Sequence, residues 1–224
     1  PDLDWNTINS SAFVDPTKEE SLKAGTYVFT KADTVVYYPE YAGDSPPAGS
    51  GTPYTGSLPG NSGIEIKDWS LVVTKPQRIQ PEGEVAGFSL QGGDARNNHR
   101  AVIQLDKRGS QDVYILNGNS GGDVSVAGGL VGEGQIFSRG DITVEGKSQL
   151  CLKPDSGVAL FAEGDISFVP IKIEDAADIA VAAELNELFS QALDTFLSGT
   201  QADYVEDSGD TVQGHEAVRV RGRR

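Results

Sequence analysis

Methionine is absent from this chain, and cysteine, histidine and long apolar runs are nearly so. Without Met the sequence holds no start residue, which points to a processed mature form or a trimmed fragment. Export is an expectation drawn from that gap, not from a targeting signal. The single cysteine, Cys151, excludes an intrachain disulfide and a cysteine-rich zinc site. It lies in the apolar run Leu150-Cys151-Leu152 and reads as a small buried hydrophobe rather than a nucleophile. The two histidines, His99 and His215, are too far apart in sequence to suggest a shared metal site. A membrane helix needs about 20 apolar residues. The most apolar stretch here, Ile179 to Ala183, is far shorter, so membrane insertion is not expected.

Positive charge is also scarce. The chain carries 18 Lys and Arg against 33 Asp and Glu, a net charge of −15. Nucleic acid and anionic membrane surfaces are excluded as partners, because phosphate binding needs clustered cations. The acidity suits a solvated surface and leaves room for a bridging cation such as Ca²⁺.

Glycine, by contrast, is plentiful, at 27 of 224 residues. That favours many short strands joined by tight turns, in a chain long enough to bury a sizeable core. Asp15-Pro16-Thr17 followed by Lys18-Glu19-Glu20 suggests one helical turn, ended by Gly25. Thr26 to Thr30 and Thr34 to Tyr38 are β-branched and aromatic, and Lys31-Ala32-Asp33 joins them as a hairpin. Residues 43–63 hold six Gly and four Pro and read as a long surface loop or linker. Strand signals resume at Ile64 to Ile66, Trp69 to Thr74, Val85 to Leu90, Ala101 to Leu105 and Asp112 to Leu116.

Residues 121–170 carry a repeat. Gly122-Asp123-Val124-Ser125-Val126, Gly140-Asp141-Ile142-Thr143-Val144 and Gly164-Asp165-Ile166-Ser167-Phe168 share one pattern: Gly, Asp, aliphatic, hydroxyl, apolar. Successive copies start 18 and 24 residues apart. Upstream of the last two, Gln135 to Arg139 aligns with Ala159 to Glu163. A period of about 20 residues fits one coil of a β-helix. In each copy two apolar side chains point to one face and the hydroxyl to the other, so stacked copies build a continuous core. Gly supplies a corner that tolerates φ > 0, and Asp bonds the turning backbone. The expected fold is all-β: a short right-handed β-helix (solenoid). Both spacings are multiples of six, as a left-handed hexapeptide coil has, but the irregular rungs and missing hexapeptide consensus favour the right-handed form. A β-sandwich or barrel is the alternative, since Gly-Asp is a common turn pair.

Beyond the repeat the period changes. Leu185, Leu188, Phe189, Ala192 and Phe196 form an i, i+3, i+4 stripe, acidic residues lie near the start, and Gly199 is a stop. An amphipathic helix over 174–199 is therefore expected, flanking or capping the solenoid's open end. In the tail, Val218-Arg219-Val220-Arg221 alternates as an exposed strand does, and the four arginines of the last six residues leave the rest of the chain at −19. This basic strand is an assembly candidate, docking on an acidic neighbour by strand addition. The organisation thus reads as a lead-in, hairpin and Gly/Pro-rich loop over 1–63, a solenoid core over 64–173, the helix, and a C-terminal extension over 200–224.

Candidate chemistry is sparse. Gly93 to Arg100, with Asp94 and His99, is the densest polar cluster but reads equally as a hydrated connection. Gly128 to Gly134 resembles a phosphate loop but lacks the Lys-Ser/Thr ending and a following helix. Asn9-Ser10-Ser11 fits a glycosylation acceptor. Asp123, Asp141 and Asp165 could stack as a column that binds Ca²⁺, but a position repeated in every copy argues for corner architecture rather than a catalytic centre. No other cofactor is expected.

Gly122 to Phe168 resembles the β-helical segments of large exported bacterial proteins, including surface and pilus-associated ones, and Ala24 to Tyr38 is similar to the lead-in of such proteins. The resemblance implies an extracellular scaffold or surface-fibre role. The expected function is a self-assembling extracellular or cell-surface structural subunit, a homo-oligomer or filament, and not an enzyme. Two alternatives remain open. One is a carbohydrate-active β-helix protein, a polysaccharide lyase or binding module; the other is a phage or virion appendage.

Overall fold

The computed structural model describes residues 4–10, 13–43, 45–58, 61–92, 101–145, 147–148, 157–169, 205–212 and 215–220. The expected helix over 174–199, Cys151 and the Gly93 to Arg100 cluster lie outside the described residues.

The described chain is all-β apart from one short helix, α1 (Trp5–Ile8), capped by Asp4, whose side chain accepts the Thr7 N–H at 2.7 Å. Successive strands distribute over three sheets in a fixed order. The first pass places β1 (Glu20–Lys23) in sheet one and β2 (Gly25–Lys31), β3 (Thr34–Tyr38) and β4 (Thr52–Thr55) in sheet two. It then places β5 (Ile64–Lys67) and β6 (Ser70–Val73) in sheet three. The second pass is β7 (Gln77–Gln80), β8 (Phe88–Gly92) and β9 (Val102–Leu105); the third is β10 (Tyr114–Asn117), β11 (Val124–Val126) and β12 (Gly129–Gly132). The fourth is β13 (Gly134–Ser138), β14 (Ile142–Glu145) and β15 (Lys147–Ser148). Finally β16 (Val158–Ala162) joins sheet one and β17 (Ile166–Val169) joins sheet two.

Every pairing between passes is parallel. Within these three sheets the antiparallel strand pairs are those where the first pass folds back on itself, β2–β3–β4 and β5–β6. Parallel register converts the sequence repeat into columns of like side chains. In sheet two Phe88, Val124, Ile142 and Ile166 stand in one inward column, and Tyr27, Leu90, Val126, Val144 and Phe168 in the next. Sheet three contributes Leu71, Ile103 and Leu130, and sheet one Ile115, Ile136 and Leu160. All three sheets feed one hydrophobic cluster. No single pass could bury its apolar face alone; the neighbour above and below completes it. At the last layer that cover stops: Ile166 is 42% and Phe168 46% exposed, whereas Ile142 and Val144 one strand earlier are fully buried.

The opposite end is guarded differently. Its outer strand β4 carries Pro53, and β5 presents Glu65 and Lys67 to solvent, devices that discourage pairing with another edge.

A second, smaller core lies on the outer face of sheet one. Tyr114, Leu116 and Phe137 point outward there and are covered by Ile8 and Val14, with Trp5 and Phe161 partly buried at the margin. Phe137 stacks on Phe161 at 5.0 Å and meets Tyr114 edge-on at 6.0 Å. Polar bonds fix the covering segment. The Tyr114 hydroxyl accepts the Asp15 N–H at 3.0 Å and donates to Glu19 at 2.9 Å, while Arg78 closes on Glu19 through Nε at 2.5 Å and Nη2 at 3.0 Å. Burial pushes the Tyr114 hydroxyl's pKa well above that of a free tyrosine.

The structure corrects three local expectations. Residues 15–20 form no helical turn. The Asp15 carboxylate accepts the Thr17 N–H and hydroxyl at 3.1 and 2.6 Å, closing a tight turn, and Glu20 is already in β1. The 43–63 stretch is not loop throughout: Thr52–Thr55 pairs with β3, and Leu58 and Asn61 are buried. The Gly of each Gly-Asp corner does not adopt positive φ. It is required for space, as described next.

Candidate functional site

The three Gly-Asp corners come together in register on successive strands of sheet two. Val124 pairs with Ile142, and Ile142 with Ile166, which places Asp123, Asp141 and Asp165 one strand apart along a column. Their carboxylates form a ladder. Asp123 Oδ1 accepts the Asp141 N–H at 2.8 Å, and Asp141 Oδ1 accepts the Asp165 N–H at 2.8 Å. The glycine before each aspartate makes this approach possible: a Cβ on Gly140 would overlap Asp123 Oδ1, and one on Gly164 would overlap Asp141 Oδ1. One oxygen of the Asp123 carboxylate and one of the Asp141 carboxylate are thus engaged by backbone. Among the described residues no group of three or more His, Cys, Asp and Glu is arranged to hold a metal ion.

Behind the ladder, buried polar side chains tie sheet one to sheet two. Asn117 Nδ2 donates to the Ala86 and Asp123 carbonyls at 2.9 and 3.1 Å. In the next layer Ser138 Oγ donates to the Gly122 and Asp141 carbonyls at 2.8 and 3.1 Å and accepts the Gly140 N–H at 3.1 Å. Both side chains are fully buried, and both satisfy the backbone groups that a sharp corner would otherwise leave without partners.

Beside the ladder runs a groove of about 530 Å³ on the outer face of sheet two. Its floor is the outward column of the repeat. Thr26, Ser89, Ser125, Thr143 and Ser167 face each other across five neighbouring strands, one hydroxyl per strand, and the middle three line the groove. Strands in a sheet lie about 4.8 Å apart, so the hydroxyls recur at that interval along a line crossing the strands. Gly43 and Ala42 form one wall, and Glu84 to Gly87 with Ser120 and Gly121 another. The first wall is pinned from below: Thr26 Oγ1 donates to the Tyr41 carbonyl at 2.7 Å, and Gln91 Nε2 donates to the Gly43 carbonyl and to Ser89 Oγ. The side-chain hydroxyls of Ser125 and Thr143 have no hydrogen-bond partner among the described residues. Among the described residues the carboxylates lining the groove are Asp123, Asp141 and Glu84, and no lysine or arginine lines it. Its one aromatic lining residue among those described, Phe88, points into the core and is 1% exposed.

The remaining candidates disperse. Val218, Arg219 and Val220 lie on β19 (His215–Val220), which pairs antiparallel with β18 (Val205–Val212), Glu206 opposite Arg219; Arg221 lies outside the described residues. His215 stands at the turn end of that hairpin, opposite Val212. Asn9 follows α1, and its Oδ1 accepts from Arg78 at 3.3 Å. The Gly128 to Gly134 stretch is strand rather than phosphate loop. It holds β12 and the start of β13, and Gly128, Gly132 and Gly134 sit where a Cβ would strike the Ala101, Leu105 and Val113 backbones of the preceding pass. The groove itself was not anticipated. Its signal was the hydroxyl in each repeat, but Ser89 belongs to a strand without the Gly-Asp corner, and the walls come from loops distant in sequence.

Among the described residues no helix is long and apolar enough to cross a membrane. Comparison with protein-family models, with curated proteins and with solved structures returns no match.

Proposed function

We propose that this chain is a structural scaffold rather than an enzyme: a short right-handed β-solenoid that serves as a self-assembling subunit of an extracellular surface layer or filament. One observation carries the reading. The three Gly-Asp corners stack in register, and the carboxylates of the first two, Asp123 and Asp141, each bond to the backbone of the following layer. A carboxylate repeated on three successive layers and bonded to main chain does the work of architecture. A catalytic pair would instead be two carboxyl groups with separate environments and roles. The cyclic order in which strands visit the three sheets, with a common core, is what successive coils of a solenoid produce.

In this reading the uncovered last layer, Ile166, Phe168 and Val169, is closed by residues 174–199 of the same chain, which follow β17 in sequence and carry the apolar stripe from Leu185 to Phe196. Assembly then falls to the basic strand Val218 to Arg221, which adds to an acidic neighbouring subunit. The test is sedimentation velocity on the 224-residue chain across a concentration series, beside a variant lacking residues 217–224. Concentration-dependent assembly that the deletion abolishes is the expected result. A chain that stays monomeric at high concentration, or a deletion that assembles as well as the parent, overturns the proposal.

A further inference from the structure

We infer that the groove on sheet two binds a linear polysaccharide free of acidic substituents, laid across the strands along the hydroxyl column. This does not depend on the assembly reading. A scaffold that stays monomeric could still hold a glycan, and one that assembles could fail to.

The chemistry of the groove selects the ligand class. Its floor presents Ser125 and Thr143, each hydroxyl able to donate and accept, while Ser89 lies buried beneath and accepts from Gln91. Ser125 and Thr143 are half-buried and without a partner among the described residues, so a ligand forms bonds there without breaking protein ones. Its sides present Asp123, Asp141 and Glu84, with no compensating cation among the described residues. Such a site repels phosphates, sulfates and uronates. It favours ligands that bring hydrogen-bond donors, above all hydroxyl and amine groups.

Periodicity narrows the choice further. The floor repeats at about 4.8 Å, across the strands rather than along them. An extended peptide joining this face would run parallel to the strands and pair with an edge, whereas these hydroxyls belong to interior strands whose backbone is already paired. An extended chain of pyranose rings advances by about one strand spacing per sugar, so successive rings can meet successive hydroxyls. The column continues past the groove to Ser167, where the face is exposed, leaving one end open for a chain longer than the groove itself.

Isothermal titration of the full chain against cellohexaose, a chitosan hexamer and hexagalacturonate tests this. The neutral and amine-bearing chains are expected to bind and the uronate not. The Ser125→Ala/Thr143→Val variant, with its fold checked by circular dichroism and urea unfolding, is expected to bind at least about tenfold more weakly, as loss of two hydrogen bonds implies. Should that variant unfold, Glu84→Lys, placed on the rim, is expected to reverse the preference towards hexagalacturonate. No binding by either non-acidic chain, tight binding of the uronate by the parent protein, or affinity unchanged in a folded variant each overturns the inference.

Discussion

Replacing Gly140 with alanine tests the corner directly. The backbone at Gly140 lies outside the left-handed region, so conformational strain does not forbid a side chain. On that ground alone Ala would stabilise by about 0.4–1 kcal/mol, through the unfolded chain. Space decides otherwise. The new Cβ would overlap Asp123 Oδ1 and approach Asp123 N at 3.0 Å and the Gly122 carbonyl carbon at 3.1 Å. Displacing the carboxylate removes its bond to the Asp141 N–H, about 1 kcal/mol at an exposed site. Relieving the backbone contacts requires a shift costing about 1–2 kcal/mol. The net expectation for Gly140→Ala is a loss of about 1–2 kcal/mol in urea unfolding. Asp123→Ala alone should lose about 1 kcal/mol. Because both act on one carboxylate, the double variant should fall short of their sum by about 1 kcal/mol. Strict additivity, or a neutral Gly140→Ala, would refute the spatial explanation.

Other consequences follow from the second core and the ladder. Phe137→Ala empties the space between Tyr114 and Phe161 and should cost about 3–5 kcal/mol, with residues 5–19 becoming cleavable in limited proteolysis before the rest of the chain. Glu19→Gln leaves Arg78 without its charged partner on that face and should destabilise by about 2–3 kcal/mol in urea, while Glu65→Gln, in an exposed pair with Arg108, should change stability by under about 1 kcal/mol. Asp15, held down to about 2 by Thr17 and then Lys18, should lend stability at neutral pH that is retained above its ordinary value of 3.8 and lost as pH falls towards 2; tryptophan fluorescence from Trp5 should report release of the segment in that window, and Asp15→Asn should flatten the transition. If the ladder is structural, saturating Ca²⁺ or EDTA should leave the melting temperature unchanged, whereas a calcium-dependent rise would restore the metal reading of Asp123, Asp141 and Asp165.

Much of the core was legible because parallel stacking turns a sequence repeat into a spatial one. Val124, Ile142 and Ile166, and the residues two further along, announce an inward column, and the structure places them there. The hairpin of β2 and β3 was equally plain from its β-branched and aromatic runs. Strand β7 was not, since Gln77-Arg78-Ile79-Gln80 has one apolar residue and follows a proline. Gln77 is nevertheless buried, accepting from Asn61 at 2.7 Å, so a polar pair fills an inward position that pattern reading assigns to hydrocarbon. Strand β12 was hidden for the opposite reason: Gly129 and Gly132 both sit at positive φ, and Gly132 also lies against the Leu105 backbone, requirements that leave no periodic signal. The outer core was missed because Tyr114, Leu116 and Phe137 occupy positions expected to face water. Only the path of residues 4–19 across sheet one explains them.

The register of the Gly-Asp layers is the claim on which the rest stands, and disulfide trapping measures it most directly. In a Cys151→Ser background, Ser125→Cys/Thr143→Cys and Thr143→Cys/Ser167→Cys place thiols on directly opposed residues of adjacent strands, within reach of a disulfide. Ser125→Cys/Ser167→Cys places them two strands apart, about 10 Å. Rapid oxidation of the first two pairs and none of the third is the predicted result. Equal oxidation of all three, or oxidation of the third alone, would contradict the stacking.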